Sequence, residues 1–267
     1  MKSWPAIDIP EIPFKVSSVS LFDAMSEKIV PLELNDTSNY LYVCGITPYD
    51  STHIGHATTY VFFDVLHRLL KLTTKPVVMI ENVTDIDEPL FKKADEVSID
   101  WQELAESQVE RFRKDMTLLR VIPPNHFIAV SETLDSVIRD IAQLLDFDEA
   151  YLLDGDIYFK YSGSSYSAQD LEIFAERGGD PERHGKLHPL DSLLWRQTTD
   201  EPHFPSPWGE GRPGWHIECV SIIHSIAEKP LLIQAGGSDL LFPHHTMSNQ
   251  QFSALARQKH LAEAYFH

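Results

Sequence analysis

The fold is decided by residues 39–80, which read NYLYVCGITPYDSTHIGHATTYVFFDVLHRLLKLTTKPVVMI. An apolar run at the start of this stretch ends at Cys44 and is typical of a buried strand. Apolar residues then recur at helical spacing over 55–72, and residues 76–80 return to a β-branched run. A strand, a helix and a strand within about 45 residues form a βαβ unit, which predicts a parallel sheet.

The 267 residues, 43% of them hydrophobic, are enough for one large domain with an insertion. Residues 1–37 are interpreted as an extended N-terminal arm, because Pro5, Pro10 and Pro13 discourage helix. Residues 38–125 are predicted to be the first half of a nucleotide-binding catalytic domain. Residues 126–204 are predicted to be an insertion, and residues 205–267 an incomplete second half of the catalytic domain. Additional helices are predicted over 99–119, 132–145, 215–226 and 243–258, with a strand over 231–234.

The charge balance restricts the partners of the chain. Asp and Glu number 40 and Lys and Arg 22, so the formal net charge is −18. Nucleic-acid binding needs clustered positive charge, which this balance opposes. The N-terminal residues include prolines and acids where a signal peptide needs an apolar core, and no apolar run approaches the roughly 18–20 residues that span a bilayer. We expect a cytoplasmic monomer that binds neither nucleic acid nor membranes.

Both cysteines of the chain lie near histidines. Cys44 precedes a His-x-x-His, and Cys219 is followed by the pair His244-His245. Thiolate and imidazole are the ligands that zinc prefers, and three such ligands with one open position are typical of a catalytic zinc site. Cys44, Cys219 and His244 are therefore candidate zinc ligands, although their spacing is not that of a zinc finger. The alternatives are a disulfide, or two buried structural thiols with a surface histidine pair.

Two further segments suggest a nucleotide site. His53 and His56 follow the first strand at the start of the predicted helix, where backbone N–H groups and the helix dipole favour phosphate. Residues 235–239 form a glycine turn after a strand, with Asp239 placed to hold ribose hydroxyls. The simpler alternatives are a helix cap for the histidines and an ordinary turn for the glycines. Trp215 packs either against a small ligand or in the core.

Together these segments resemble a known family. Four of them, in order along the chain, are YVCGITPYDSTHIGHA, ENVTDIDEPL, GRPGWHIEC and GGSDLLFPHH. They resemble class I aminoacyl-tRNA synthetases, and most of all cysteinyl-tRNA synthetase and the cysteine:glucosaminyl-inositol ligase of mycothiol biosynthesis. The resemblance implies an α/β fold, a Rossmann-like (HUP-type) parallel sheet with a helical insertion.

Three details favour the ligase over the synthetase. Ile46 and Pro48 stand where the synthetases usually have proline and valine. Residues 174–181, FAERGGDP, are similar to a ligase signature that the synthetases lack. Ser248 stands four residues after His244, where the synthetases place a glutamate zinc ligand.

The resemblance also implies roles for individual residues. Cys44, Cys219 and His244 carry over as zinc ligands, and the thiolate of the bound amino acid completes the tetrahedron. His53 and His56 serve the ATP phosphates. The remaining implied contacts are with the adenylate, at Cys44, Gly45, Ile46, Thr47, Thr59, Asn82, Val83, Thr84, Trp215, Gly237, Ser238 and Asp239.

The implied reaction is an ATP-dependent ligation in two steps. L-Cysteine reacts with ATP, supplied with Mg²⁺, to give cysteinyl-adenylate, and the amine of glucosaminyl-inositol then displaces AMP. The family also carries a Lys-Met-Ser-Lys-Ser loop that steadies the pyrophosphate, and nothing up to His267 matches it. We therefore expect a C-terminally truncated chain with impaired adenylate formation. A truncated cysteinyl-tRNA synthetase and a non-catalytic cysteine- or zinc-binding remnant remain as alternatives.

Overall fold

The computed structural model describes residues 1–163 and 165–267. They form two units, the first made of Met1–Glu132, Lys229–Ser238 and Ala262–His267, and the second of Thr133–Glu228 and Asp239–Leu261. In chain order the strands are β1 (Ser20–Asp23), β2 (Lys28–Pro31), β3 (Asn39–Ile46), β4 (Val77–Val83), β5 (His126–Ala129), β6 (Ala150–Leu153), β7 (Asp156–Phe159), β8 (Ser192–Gln197), β9 (Gly211–Pro213), β10 (Leu231–Ala235) and β11 (Ala262–Phe266). The α-helices are α1 (Ile54–Lys71), α2 (Glu88–Val97), α3 (Trp101–Leu118), α4 (Leu134–Asp146), α5 (Ala168–Glu176), α6 (Trp215–Ile226) and α7 (Thr246–Ala256).

The first unit contains the predicted parallel sheet. Its five strands run in the order β11-β10-β3-β4-β5, and every neighbouring pair is parallel. Strands β3 and β4, joined by α1, are the βαβ unit predicted over residues 39–80. Because parallel strands share one carboxyl edge, the segments that follow β3, β4 and β10 emerge at the same edge of the sheet.

The apolar core of the first unit explains why these strands form. Strand β3 is buried almost along its whole length, as expected where helices cover a parallel sheet. Burial of each large apolar side chain contributes about 1.5–3 kcal/mol to stability. A cluster of buried apolar side chains in this unit includes Leu41, Val43, Met79 and Val83 from the strands, and Tyr60, Phe63, Phe112 and Met116 from the helices.

The second unit contains an antiparallel sheet as well as helices. Strands β6, β7, β8 and β9 pair in that order, all antiparallel. Helices α4, α5, α6 and α7 belong to the same unit. The sequence predicted a helical insertion and gave no indication of this sheet, because its strands are only three to six residues long.

Two predicted helices differ from the observed ones at their N-terminal ends. The helix predicted over 99–119 is α3, and a separate helix, α2, precedes it. The helix predicted over 243–258 begins at Thr246, because Leu241–His245 form a π-helical turn in which Phe242 has extended backbone angles.

Among the residues that the structure describes, every helix is too short or too polar to cross a membrane.

Candidate functional site

In the first unit, the side chain of Asn82 joins the end of β4 to the end of β3. Its Oδ1 accepts hydrogen bonds from the backbone N–H of Gly45 and from the hydroxyl of Tyr42, both at 2.9 Å. Its Nδ2 donates to Oγ1 of Thr84 at 3.0 Å. The backbone N–H of Thr84 in turn donates to the carbonyl of Ile46 at 2.9 Å. Six of the predicted adenylate positions, Cys44 to Ile46 and Asn82 to Thr84, thus lie in two segments that are bonded together.

The close approach of these segments requires glycine at position 45. A Cβ atom at Gly45 would lie 1.5 Å from the carbonyl oxygen of Asn82, so no side chain fits there. Thr47, the first residue after β3, donates its hydroxyl to the carboxylate of Asp87 at 3.4 Å. Val83 is fully buried in the apolar core, so only its backbone is placed to meet a ligand.

The two histidines of the His-x-x-His segment stack on each other at the start of α1. His53 is the N-cap, and its Nδ1 accepts from the backbone N–H of Gly55 at 3.1 Å and of His56 at 3.4 Å. The two rings lie 3.9 Å apart and nearly parallel. Burial, with a smaller contribution from His53, lowers the pKa of His56 below its ordinary value. Because Nδ1 of His53 accepts, its proton is on Nε2, which is the nitrogen left to donate to an anion.

Thr59 lies one turn further along α1 and is half-buried, with its hydroxyl donating to the carbonyl of Gly55 at 3.2 Å. Gly237 and Ser238 follow directly after β10. Thr59, Gly237 and Ser238, which were predicted to contact the adenylate, thus lie on α1 or shortly after β10. Among the described residues, no hydrogen bond joins them to Asn82 or to the residues bonded to it.

In the second unit, Cys219 and His244 come together in the core. Cys219 lies on α6 and His244 in the turn before α7, and each is only 1% exposed. One nitrogen of His244 and the sulfur of Cys219 lie within 4.8 Å of each other. The alternative of a surface histidine pair is wrong, because His245 is also fully buried. The alternative of a disulfide is wrong too, since both cysteines of the chain are reduced thiols.

Neighbouring side chains orient the ring of His244. Its Nδ1 lies 3.0 Å from Nδ1 of His216, and the ring of Trp215 stacks on it at 4.3 Å. Burial, with a smaller contribution from His244, lowers the pKa of His216 well below its ordinary value, so His216 is neutral. A neutral His216 with its proton on Nε2 can accept a hydrogen bond from Nδ1–H of His244, which leaves Nε2 of His244 for a metal. Ser248 is occupied elsewhere, donating its hydroxyl to the carbonyl of His244 at 2.8 Å.

Asp239 lies at the surface of the second unit, in a 3₁₀ turn over Ser238–Leu240. Oδ2 of its carboxylate accepts a hydrogen bond from Arg177 at 2.9 Å. Sequence reasoning gave no role to Arg177, although it lies within the FAERGGDP segment that is part of the resemblance to the ligases. His216 was missed as well, and only its position beside Trp215 in the GRPGWHIEC segment pointed to it.

Comparison with known proteins gives a family for most of the chain. Residues 30–267 match the model of the class I (C) tRNA synthetase catalytic domain. A relative from Corynebacterium jeikeium named L-cysteine:1D-myo-inositol 2-amino-2-deoxy-alpha-D-glucopyranoside ligase 2 is 45% identical, over 100% of this chain and 68% of that protein. A ligase with the same name, without the number, from Streptosporangium roseum is 43% identical over 100% and 68%. The chain thus spans about two thirds of the length of these relatives.

A solved structure shares the fold. Mycobacterium tuberculosis methionyl-tRNA synthetase in complex with methionyl-adenylate superposes with a TM-score of 0.59 and 14% sequence identity. The superposition covers 86% of this chain and 56% of that one. A likeness at this identity concerns the fold, which is that of a class I synthetase catalytic domain, as the sequence predicted.

Proposed function

Since the chain belongs to the class I (C) tRNA synthetase family, and within it to the carbon–nitrogen ligases of mycothiol biosynthesis, we propose that it joins L-cysteine to the amine of glucosaminyl-inositol at the expense of ATP. The observation that carries the proposal is the 41–45% identity, over the whole chain, to proteins named as that ligase. The FAERGGDP segment and Ser248, both ligase-like, support the same assignment.

The proposed metal ligands are Cys44, Cys219 and His244, a Cys-Cys-His group that could hold a metal ion. Two thiolates and one imidazole, all buried, are a donor set that suits zinc better than magnesium or calcium. Zinc held by these three side chains would supply a positive centre that favours a thiolate of the substrate over its neutral thiol. A hydroxyl is a weaker ligand for such a centre, so L-serine is excluded by the chemistry of the site.

We assign the nucleotide to the segments of the first unit. The segment from Cys44 to Thr47, at the end of β3 and held by Asn82, offers backbone groups to the adenylate. His53 holds its Nε2–H at the start of α1, where the helix dipole also favours the phosphates. Donors that are fixed before the substrate arrives stabilise the charge that develops on the phosphate oxygens at no cost of reorganisation.

The proposed chemistry has two steps. The carboxylate oxygen of cysteine attacks the α-phosphorus of ATP, and the bond to pyrophosphate breaks. The amine nitrogen of glucosaminyl-inositol then attacks the carbonyl carbon of the adenylate, loses a proton, and AMP leaves. The contribution of the chain is to hold the carboxylate and the phosphate in line and to keep the adenylate oriented for the amine.

The acceptor is proposed to be a small amine and not tRNA. The formal charge of −18 opposes the phosphate contacts that a tRNA would need. We propose a cytoplasmic monomer for which L-cysteine, ATP with Mg²⁺ and glucosaminyl-inositol are the only small-molecule partners required.

The test is an assay of product formation by this 267-residue chain. We expect L-cysteine, ATP and glucosaminyl-inositol together to give the cysteinyl conjugate and AMP, detected by mass spectrometry after thiol labelling. Replacing L-cysteine by L-serine serves as the control, and it is expected to give no conjugate. Transfer of cysteine to tRNA in place of glucosaminyl-inositol, by the same preparation, would contradict the proposal and support a synthetase.

A further inference from the structure

The FAERGGDP segment forms a loop whose conformation depends on its two glycines. It follows α5, and Arg177 lies at the C-cap of that helix. Gly178 has a φ of +85°, a conformation that side chains disfavour. At Gly179 a Cβ atom would lie 2.5 Å from the ring of Phe174, so a side chain would collide with the core. The loop is thus shaped by its sequence and is not an arbitrary connection.

The far end of the loop is fixed to the antiparallel sheet by Asp180. Its carboxylate accepts a hydrogen bond from the hydroxyl of Tyr158, which lies on β7. It also accepts from Nζ of Lys186 at 3.0 Å, and the side chain of Lys186 is only 2% exposed. Such a buried, charge-assisted hydrogen bond resists displacement, so the loop is held firmly at this end.

At its near end the loop presents Arg177 to Asp239. The guanidinium lies 2.9 Å from Oδ2 of the carboxylate, with the two side chains 40% and 52% exposed. An ion pair as exposed as this contributes little to folding stability. Stability therefore does not explain a loop that fixes an arginine on this one carboxylate.

We infer that Arg177 is a positioning residue, which aims the carboxylate of Asp239 at the ribose hydroxyls of the nucleotide. The inference rests on the proposed function, which places Asp239 at the ribose. A carboxylate accepts hydroxyl donors best when its plane is fixed, and an arginine bonded to Oδ2 fixes that plane while the side chain of Asp239 stays 52% exposed. The loop with the ligase-like FAERGGDP segment therefore acts on nucleotide recognition.

The inference is tested by comparing AMP with 2′,3′-dideoxy-AMP, which lacks both hydroxyls, in calorimetric titrations of the whole chain. We expect the wild-type chain to prefer AMP by about tenfold, because a hydroxyl lost from a site built for it leaves polar groups without partners. In Arg177→Ala the preference is expected to fall to about twofold. Arg177→Lys, which keeps the charge, is expected to recover part of it.

Arg139→Ala is the matched control, because Arg139 is another exposed arginine of the second unit whose ion pair is with its neighbour Asp140. It is expected to keep the wild-type preference. A double variant, Arg177→Ala with Asp239→Asn, is expected to show the same preference for AMP as Asp239→Asn alone, because both changes act on the same contact with the ribose.

Two results would overturn the inference. One is an Arg177→Ala chain that binds AMP more weakly but keeps the wild-type preference over the dideoxy analogue, which would indicate a general structural role. The other is a wild-type chain that binds both nucleotides equally. If the wild-type chain forms the cysteinyl conjugate in either case, the proposed function stands without this inference.

Discussion

At the scale of single residues, His53 combines a structural and a proposed chemical role in one ring. Nδ1 caps α1 by accepting from two backbone N–H groups, and Nε2–H remains for the phosphates. The sequence offered the cap and the phosphate site as alternatives, but the geometry allows both at once. The two roles use different nitrogens, so substitutions can separate them.

Two substitutions of His53 are expected to have different effects. Asparagine is a good N-cap, so His53→Asn should keep the melting temperature while lowering the ATP–pyrophosphate exchange rate about a hundredfold through loss of the Nε2 donor. His53→Ala should lose activity and, in addition, about 0.5–2 kcal/mol of stability. Melting curves and exchange rates on both variants check this, and full activity in His53→Asn would contradict the proposed phosphate contact.

Sequence reasoning at this scale relied on residue types that carry the chemistry. Cys219 and His244 were paired because thiol and imidazole are zinc ligands, and the structure brings these two together. Arg177 could not be predicted in the same way, because arginine is common on surfaces and Asp239, its partner, is 62 positions away. That contact exists only through the fold of the second unit.

At the scale of elements, helix α1 shows which structural features the spacing of apolar residues can predict and which it cannot. The helix was predicted from the helical spacing of Val61, Val65, Leu66, Leu69 and Leu70, and its bounds are close to the prediction. In the structure Leu66 and Leu70 are buried, together with Phe63, whereas the other three side chains are 36–58% exposed. Apolar residues occur on both faces of α1, so the period located the helix without showing which face packs on the sheet.

The short strands of the second unit limited prediction for another reason. Strands β8 and β9 are 13 residues apart, and β8 pairs with β7 across a 32-residue gap that contains α5. Such pairings depend on contacts between distant segments, which no local pattern reports. By contrast, α6 was predicted over its observed bounds, since local periodicity suffices for a buried helix.

The buried histidine of α1, His67, leads to a prediction about how folding stability depends on pH. His67 is 2% exposed, and neither ring nitrogen has a hydrogen-bond partner among the described residues. Burial, with a smaller contribution from Lys71, lowers its pKa from 6.5 to about 4. The unfolded chain therefore binds a proton below pH 6.5 that the folded chain does not bind until about pH 4. The free energy of unfolding is therefore expected to decrease as the pH falls from 6.5 to about 4. At lower pH, His67 is expected to cause no further decrease.

Urea denaturation between pH 7 and pH 4 checks this prediction. The unfolding free energy of the wild-type chain should decrease by up to about 1.4 kcal/mol per pH unit through His67 alone. His67→Leu should remove that contribution, whereas His126→Gln, at an exposed histidine of the first unit, should keep it. An unchanged pH dependence in His67→Leu would show that another group titrates.

At the scale of the whole molecule, the proposed chemistry draws on both units. The segments assigned to the nucleotide phosphates belong to the first unit, while Cys219 and His244 belong to the second. From the sequence we predicted a catalytic domain in two halves, separated by an insertion over 126–204. Because zinc at the proposed site would bind the folded chain more tightly than the unfolded one, its removal is expected to lower the melting temperature as well as the activity.

The most direct test of the account measures zinc content and cysteine-dependent ATP–pyrophosphate exchange on one preparation. Cys219→Ser is the test variant, and Ser225→Ala, at an exposed serine of the same helix, is its control. The account predicts about one zinc ion per chain and exchange in the wild type and Ser225→Ala, and loss of both in Cys219→Ser. A folded wild-type chain that holds no zinc, or a Cys219→Ser chain that exchanges at the wild-type rate, would contradict it.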